Sequence, residues 1–374
     1  MCLEVLQMIW FSFLPLIIYI PAGIYFYFLF RRFLTLFHLE KRTKLTKILS
    51  VLFALLLVAA GWKAFRLGGV LVLHFLLCSL VLEVVNQILR RVLKEGRGSR
   101  IWDKLFKSCI ISVLITAAFI GYGWVNMQQI RETDYTIQTE KTLEGNLRIA
   151  QISDLHMGTT MGLEELRSYC KNIQEKTPDL FVLTGDIFDE STEKSQMEEA
   201  AALLGSVEAR YGTYYIWGNH DPNHYVSQPN YSMEEIQNAL GKNGIRVLED
   251  EALQVTPQLA LVGRVDSSIS ENRKSIQELL SGIDKNSYII VLDHRPVLLE
   301  ENAAQGVDLQ LSGHTHAGQI WPTGQLALLL GINEQNYGEK AIGDFHAIVS
   351  SGIGGWGYAI RTGGHSEYVM IDVK

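Results

Sequence analysis

Five short apolar runs in the second two-thirds of this chain each end in residues that hold cations, and that repetition narrows the folds open to it. The run from Leu147 stops at Ser153, and Asp154 and His156 follow with one residue between them. On an extended backbone both side chains would leave on the same side. Leu180 to Thr184 leads into Gly185-Asp186-Ile187-Phe188-Asp189, and Thr213 to Trp217 into Gly218-Asn219-His220-Asp221. Ser287 to Leu292 leads into Asp293-His294, and Val307 to Leu311 into Ser312-Gly313-His314-Thr315-His316. One Asp-x-His pair is a weak signal, whereas five strand ends carrying such residues form a constellation.

Open α/β sheets build their sites in this way, because the loops at the carboxyl ends of buried strands converge while the sheet stays dry. Between the runs, Leu163 to Lys176, Glu193 to Leu204 and Met233 to Asn243 have helical spacing, the last behind Ser232 as N-cap. Gly244 to Val265 reads as two short strands and Asn272 to Leu280 as a helix. Phe345 to Ser351 and Glu367 to Val373 read as closing strands of a second sheet. Strands alternating with helices predict a layered α/β domain.

The ordered set Asp-x-His, Gly-Asp-x-x-Asp, Gly-Asn-His-Asp, His and Gly-His-x-His resembles the calcineurin-like metallophosphoesterases, from Leu147 to Lys374. The resemblance implies two β-sheets with helices on their outer faces, a four-layer α/β/β/α sandwich, around two divalent cations. It makes Asp186 the bridging ligand. Asp154, His156 and His316 complete one site, and Asn219, His294 and His314 the other. His220 matches the family histidine that stabilises the transition state or protonates the leaving oxygen, with Asp221 to orient it and Asp189 to support the cluster. The implied reaction is in-line attack on phosphorus by a water or hydroxide held by both ions, with no covalent enzyme intermediate. Imidazole, carboxylate and amide ligands without thiolate suit manganese, iron or zinc better than calcium or magnesium. Arg361 matches an arginine of the membrane-anchored branch, open to a phosphate contact or to a structural ion pair. Ala317 stands where glycine is usual and Arg295-Pro296 follows His294, departures that bear on loop shape and substrate fit. His224 reads as an exposed loop residue, and Asp293, His346 and His365 as structural or surface groups.

The first third is of another kind. Residues 1 to 127 hold 15 Lys and Arg against 5 Asp and Glu, and the remainder 18 against 35. The acidic remainder argues against a nucleic-acid surface, which needs a basic patch. Leu6 to Phe30, Ile48 to Ala64, Gly68 to Leu89 and Phe106 to Val125 are apolar candidates for membrane spans. The first is too long, and lacks the basic start, for a signal peptide. His74 and Glu83 inside the third are assigned to packing or interfacial placement. Arg31, Arg32, Lys41, Arg42, Lys44 and Lys47 follow the first span, and Arg90, Arg91, Lys94, Arg97, Arg100 and Lys104 the third. By the positive-inside rule both loops are cytoplasmic, which leaves the amino terminus and everything after the fourth span outside. The organisation expected is a transmembrane region of four helices over 1–127, a tether over 128–146 and a catalytic domain over 147–374. Of the four cysteines only Cys170 falls in the last part, so no disulfide forms within it.

These readings describe an integral protein of the cell membrane with a dinuclear-metal phosphohydrolase outside. The resemblance favours a phosphodiesterase or pyrophosphatase acting on a lipid-linked or envelope phosphoester. Membrane lipids and a small-molecule or lipid-linked substrate are the expected partners, without nucleic acid or an obligate protein partner. Two alternatives stay open: a non-catalytic membrane binding protein stabilised by its metals, and a protein phosphatase.

Overall fold

A computed structural model of the chain describes residues 19–39, 43–62, 66–93 and 96–374. They fall in two compact units, Met1–Tyr122 and Gly123–Lys374. The first contains α1 (Tyr19–Phe37), α2 (Thr43–Gly61), α3 (Leu67–Val92), α4 (Arg97–Ser108) and most of α5 (Ile110–Gln128). All but α4 are long and apolar enough to cross a membrane. At about 1.5 Å per residue, α5 matches the roughly 30 Å hydrocarbon core of a bilayer. Leu55, Leu56, Val81 and Leu114 are exposed on these helices, which suits lipid better than water.

Polar groups in this unit find one another. Arg32 Nη1 donates to Glu83 Oε1 at 2.6 Å and the Tyr25 hydroxyl donates to the same oxygen at 3.1 Å, so Glu83 is paired by charge. His74 Nδ1 donates to Val70 O at 2.8 Å within its own helix. Residues 6–18 of the first expected span lie outside the described residues. The fourth span begins at Ile110 rather than Phe106. Cys109, at φ 59°, breaks the helix, and Phe106 belongs to α4, whose basic residues Arg97, Arg100, Lys104 and Lys107 give it a polar face.

The second unit runs β1 (Ile130–Ile137), β2 (Leu147–Ile152), α6 (Leu163–Glu175), β3 (Leu180–Leu183), α7 (Lys194–Gly205), β4 (Thr213–Tyr215), α8 (Met233–Lys242) and β5 (Ile245–Val247). It continues with β6 (Glu251–Thr256), β7 (Leu259–Gly263), α9 (Ile276–Leu279), β8 (Tyr288–Leu292), α10 (Leu299–Ala304), β9 (Leu309–Ser312), α11 (Thr323–Leu329), β10 (Gly338–Ile342), β11 (Phe345–Val349) and β12 (Ser366–Val373). Two six-stranded sheets result, in the orders β1-β12-β2-β3-β4-β5 and β10-β11-β9-β8-β7-β6.

Side chains alternate across each strand, and the alternation builds the layers. Ile149, Leu180 and Val182 point between the sheets, against Leu261, Ile290, Leu292, Leu309 and Leu311. Their neighbours Ala150, Ile152, Phe181 and Leu183 point outward to Leu166 and Cys170 of α6, Leu204 of α7 and Leu240 of α8. Val262 and Val291 point outward from the second sheet to Ile276 of α9 and Leu299 of α10. The architecture is therefore a four-layer α/β/β/α sandwich. Each fully buried Leu, Ile or Val contributes about 1.5–3 kcal/mol, and Leu292→Ala in the middle layer would remove about 2–5 kcal/mol.

The stretch expected as a tether is not free. Residues 130–137 pair in parallel with β12, from Ile130 opposite Ser366 to Ile137 opposite Val373. An edge strand with one solvated side carries the polar residues that read as a linker. Gly244 to Val265 holds three strands rather than two. The helix expected over Asn272 to Leu280 contracts to α9, because Ser275 and Glu278 cap one another there: Glu278 N donates to Ser275 Oγ at 3.2 Å and Ser275 N to Glu278 Oε2 at 2.7 Å. Of the two closing strands, β11 joins the second sheet, but β12 returns to the first, antiparallel to β2.

Candidate metal centre

The loops after β2, β3 and β4 of one sheet meet those after β8 and β9 of the other. The extended geometry expected for Asp154 and His156 is not what forms. The strand ends at Ile152, and Asp154 (φ 52°) and His156 (φ 44°) are left-handed, as are Asp186 (φ 51°), His314 (φ 71°) and His316 (φ 50°). Each such residue costs about 1–3 kcal/mol. Neighbouring loops hold them in place: Asp154 N donates to Gly185 O at 3.0 Å, His156 N to Asp186 O at 3.1 Å and Met157 N to Ile187 O at 3.1 Å. The close approach also requires glycine at 218, where a β-carbon would overlap the Asp186 carboxylate.

Two ligand sets result. Asp154, His156 and His316 bring their ligand atoms within 4.8 Å of one another, and so do Asp186, His294 and His314. One atom faces both sets. Asp186 Oδ2 lies 3.2 Å from His294 Nε2 and 3.8 Å from His156 Nε2, while its Oδ1 accepts from His220 N at 2.8 Å. His156 Nε2 faces His316 Nε2 at 3.2 Å, and His316 Nε2 is 3.4 Å from Asp154 Oδ1.

The far side of each ring is fixed. His294 Nδ1 donates to Thr184 O at 2.8 Å, and His156 Nδ1 lies 3.1 Å from Asp189 Oδ2, which aims both Nε2 atoms inward. Burial opposes the charge of Asp189, but His156 and Ser191 hold its carboxyl at about 2. Asp189 thus stands behind the ring of His156.

Divalent cations fit these residues. Buried Asn219 Oδ1 has no hydrogen-bond partner among the described residues, and two imidazole nitrogens facing each other need a cation or a proton between them. Burial and the charge of His294 push His314 down to about 3, and burial with His156 holds His316 well below the usual imidazole range. Both rings are therefore neutral, whereas at His294 burial is outweighed by Asp186, which raises the imidazole to about 10, so a cation there has a proton to displace. Burial would raise Asp186, but His294 outweighs it and keeps the carboxylate ionised.

His220 stands beside the two sets. Its Nδ1 is 3.1 Å from both carboxylate oxygens of Glu190, and its ring centroid lies 5.0 Å from Tyr225 and 5.4 Å from Trp356. Asp221, expected to orient His220, does not touch the ring. It accepts from Asp186 N at 2.8 Å, Phe188 N at 2.9 Å and Gly218 N at 2.7 Å, and so clamps the turns after β3 and β4 together. Glu190 was missed; its one signal was its place next to Asp189.

The sequence pattern of calcineurin-like phosphoesterases matches residues 147–318. An "Uncharacterized metallophosphoesterase" of Aquifex aeolicus is 31% identical, over 71% of this chain and 98% of that one. The chain belongs to the calcineurin-like metallophosphoesterase family. It is a metal-dependent phosphoesterase. A "Transmembrane protein with metallophosphoesterase domain" of Danio rerio is 28% identical over 82% of this chain and 71% of that one, a share larger than the catalytic unit, so that likeness reaches into the apolar helices.

Two arginines shape the centre of this metallophosphoesterase. Arg361 is turned to backbone carbonyls. It is fully buried and donates to His316 O at 2.9 Å, Ser351 O at 2.8 Å and Gly354 O at 2.6 Å, which sets the backbone of one ligand. Arg295 is held by Asp266 at 2.8 Å, and its Nη1 lies 3.2 Å from His314 Nε2. His224 is exposed. Asp293 pairs with Arg273 at 2.5 Å, His346 with Glu339 at 2.6 Å and His365 with Glu367 at 3.2 Å.

Proposed function

We propose that this metallophosphoesterase is a phosphodiesterase or pyrophosphatase that hydrolyses a lipid-linked or envelope phosphoester outside the cell membrane. The observation that carries the chemistry is the position of Asp186 Oδ2, one carboxylate oxygen turned toward both ligand sets. Asp154, His156 and His316 would hold one cation, and Asn219, His294 and His314 the other. Manganese, iron and zinc suit these donors. When bound, the pair neutralises the phosphoryl oxygens and acidifies the attacking water.

The chain's own residues do the rest. Asp189 fixes His156, and Arg361 and Arg295 fix the loop and ring of the two Gly-His-x-His ligands. Glu190 holds His220 so that Nε2 delivers a proton to the leaving oxygen. Tyr225 and Trp356 flank that ring.

The last residues of α5, Gly123–Gln128, belong to the catalytic unit, which supports a substrate presented at the membrane. The basic residues after the first and third spans support an external site. The chemistry is tested with manganese on bis-p-nitrophenyl phosphate, p-nitrophenyl phosphate, nucleotide-linked sugars and phospholipids. Turnover of the monoester alone would overturn the diester or pyrophosphate reading. Alkaline phosphatase and fluorescent protein fused after Lys374 test the side: fluorescence without phosphatase activity would place the site in the cytoplasm.

A further inference from the structure

The spans do not account for all the apolar surface. In the catalytic unit, residues 320–333 hold no charged side chain, and Trp321, Leu326, Leu328, Leu329, Leu330 and Ile332 are 42% to 80% exposed. From residue 126 onward, the other exposed large hydrophobics among the described residues are Tyr225, Val226 and Leu298. A contiguous run of this kind marks a contact surface rather than ordinary scatter.

The run, which includes α11, is an excursion hung on the metal loop. Thr315 Oγ1 donates to Asn336 O at 2.6 Å and closes its two ends, and Thr323 Oγ1 donates to Gly318 O at 2.9 Å. Its base is bonded to residues 360–364: Trp321 N donates to Thr362 Oγ1 at 3.0 Å and Gly363 N to Gln319 O at 3.0 Å. The same strip receives the end of α5. Arg361 N donates to Gly123 O at 2.9 Å, and Asn126 Nδ2 donates to Arg361 O at 3.0 Å and Gly364 O at 2.9 Å. The end of a spanning helix lies at the membrane interface, where an exposed Trp such as Trp124 belongs. The apolar excursion is therefore one strip of backbone away from the bilayer surface.

We infer that Trp321–Ile332 is an interfacial lipid-binding segment, with its leucines in the acyl boundary and Trp321 at headgroup level. It differs from the spans in lying on the membrane rather than crossing it. With no charge in the run, binding rests on apolar burial and is independent of anionic lipid and of salt. Because it is tied to Thr315 and Gly318, seating it turns the loop of His314 and His316 toward the lipid surface. The inference does not need the substrate to be a lipid, and depth in the membrane is read separately from turnover.

The test uses the full chain in phosphatidylcholine nanodiscs holding one copy each. Leu329→Cys and, separately, Leu330→Cys carry an environment-sensitive fluorophore, with Lys285→Cys as the control and the labelled unaltered chain as background. An unchanged melting temperature shows that each variant is folded. Fluorescence at 329 and 330 is expected to shift blue and to fall at least about twofold with brominated acyl chains, at low and high salt alike, while 285 stays water-like. Water-like emission at both sites would overturn the inference. So would quenching that requires anionic lipid, or a blue shift seen only in discs holding two copies, which would make the run a contact between chains.

Discussion

His220 Nδ1 lies 3.1 Å from each carboxylate oxygen of Glu190, although the carboxylate adjacent to it in sequence is Asp221. Asp221 is turned into the protein, where three backbone amides converge on it. Orientation of the His220 ring and clamping of the turns after β3 and β4 thus fall to two different carboxylates.

That division is testable by a double-mutant cycle. His220→Ala should lower the maximal rate roughly a hundredfold to ten-thousandfold and keep its metals, with a smaller loss for leaving groups of low pKa. Glu190→Ala should lower it by about tenfold to a hundredfold. The double variant is expected to be no slower than His220→Ala alone, since Glu190 acts through the ring. Additive losses would assign Glu190 another task.

Asp186→Asn is expected to lose both activity and metal content. An amide cannot supply charge between two cations, and Asp186 Oδ2 is the atom that faces both sets. Elemental analysis beside a turnover assay decides the point. Two retained metals with near-normal turnover would remove Asp186 from the bridging role.

Glu367 gives the catalytic unit an acid-sensitive brace. It is fully buried at the start of β12 and accepts from Ser351 N at 2.9 Å, the Tyr337 hydroxyl at 3.0 Å, His365 Nε2 at 3.2 Å and Thr133 Oγ1. Burial would raise its pKa, but His365, Thr133 and Ser351 outweigh burial and hold it below the usual range. The folded state binds this proton less tightly than the unfolded chain. The stabilisation is therefore full above the unfolded value of about 4.3 and is lost as pH falls through the lower folded value. Glu367→Gln should destabilise by about 3 kcal/mol at neutral pH, and the gap in Tm from the unaltered chain should close in acid. A constant gap across pH would mean that its charge is not what matters.

Cys170 should be inert in the native protein. Burial in α6 pushes its thiol up to about 12, so almost no thiolate exists at neutral pH. Iodoacetamide followed by peptide mass analysis should find it unmodified until denaturant is added. Rapid native labelling would show that α6 opens.

The sequence by itself determined the elements whose signal is local. The apolar spans, the alternating strands and the order of ligands from Asp154 to His316 depend on residue type and spacing along a few turns or a few strand residues, and so did the Ser232 cap of α8. Tertiary structure decided whatever depends on residues far apart in the chain. Residues 130–137 read as a tether with strand character only from Tyr135 onward, until β12, more than two hundred residues later, supplies a strand that pairs with all eight. Asp154 and His156 look like neighbours on a strand, yet they are left-handed because the loop after β3 holds their amides. Neither Glu190 as the partner of His220 nor Arg361 as a brace for His316 can be read from spacing, because a side chain's partner is set by which loops the two sheets bring together.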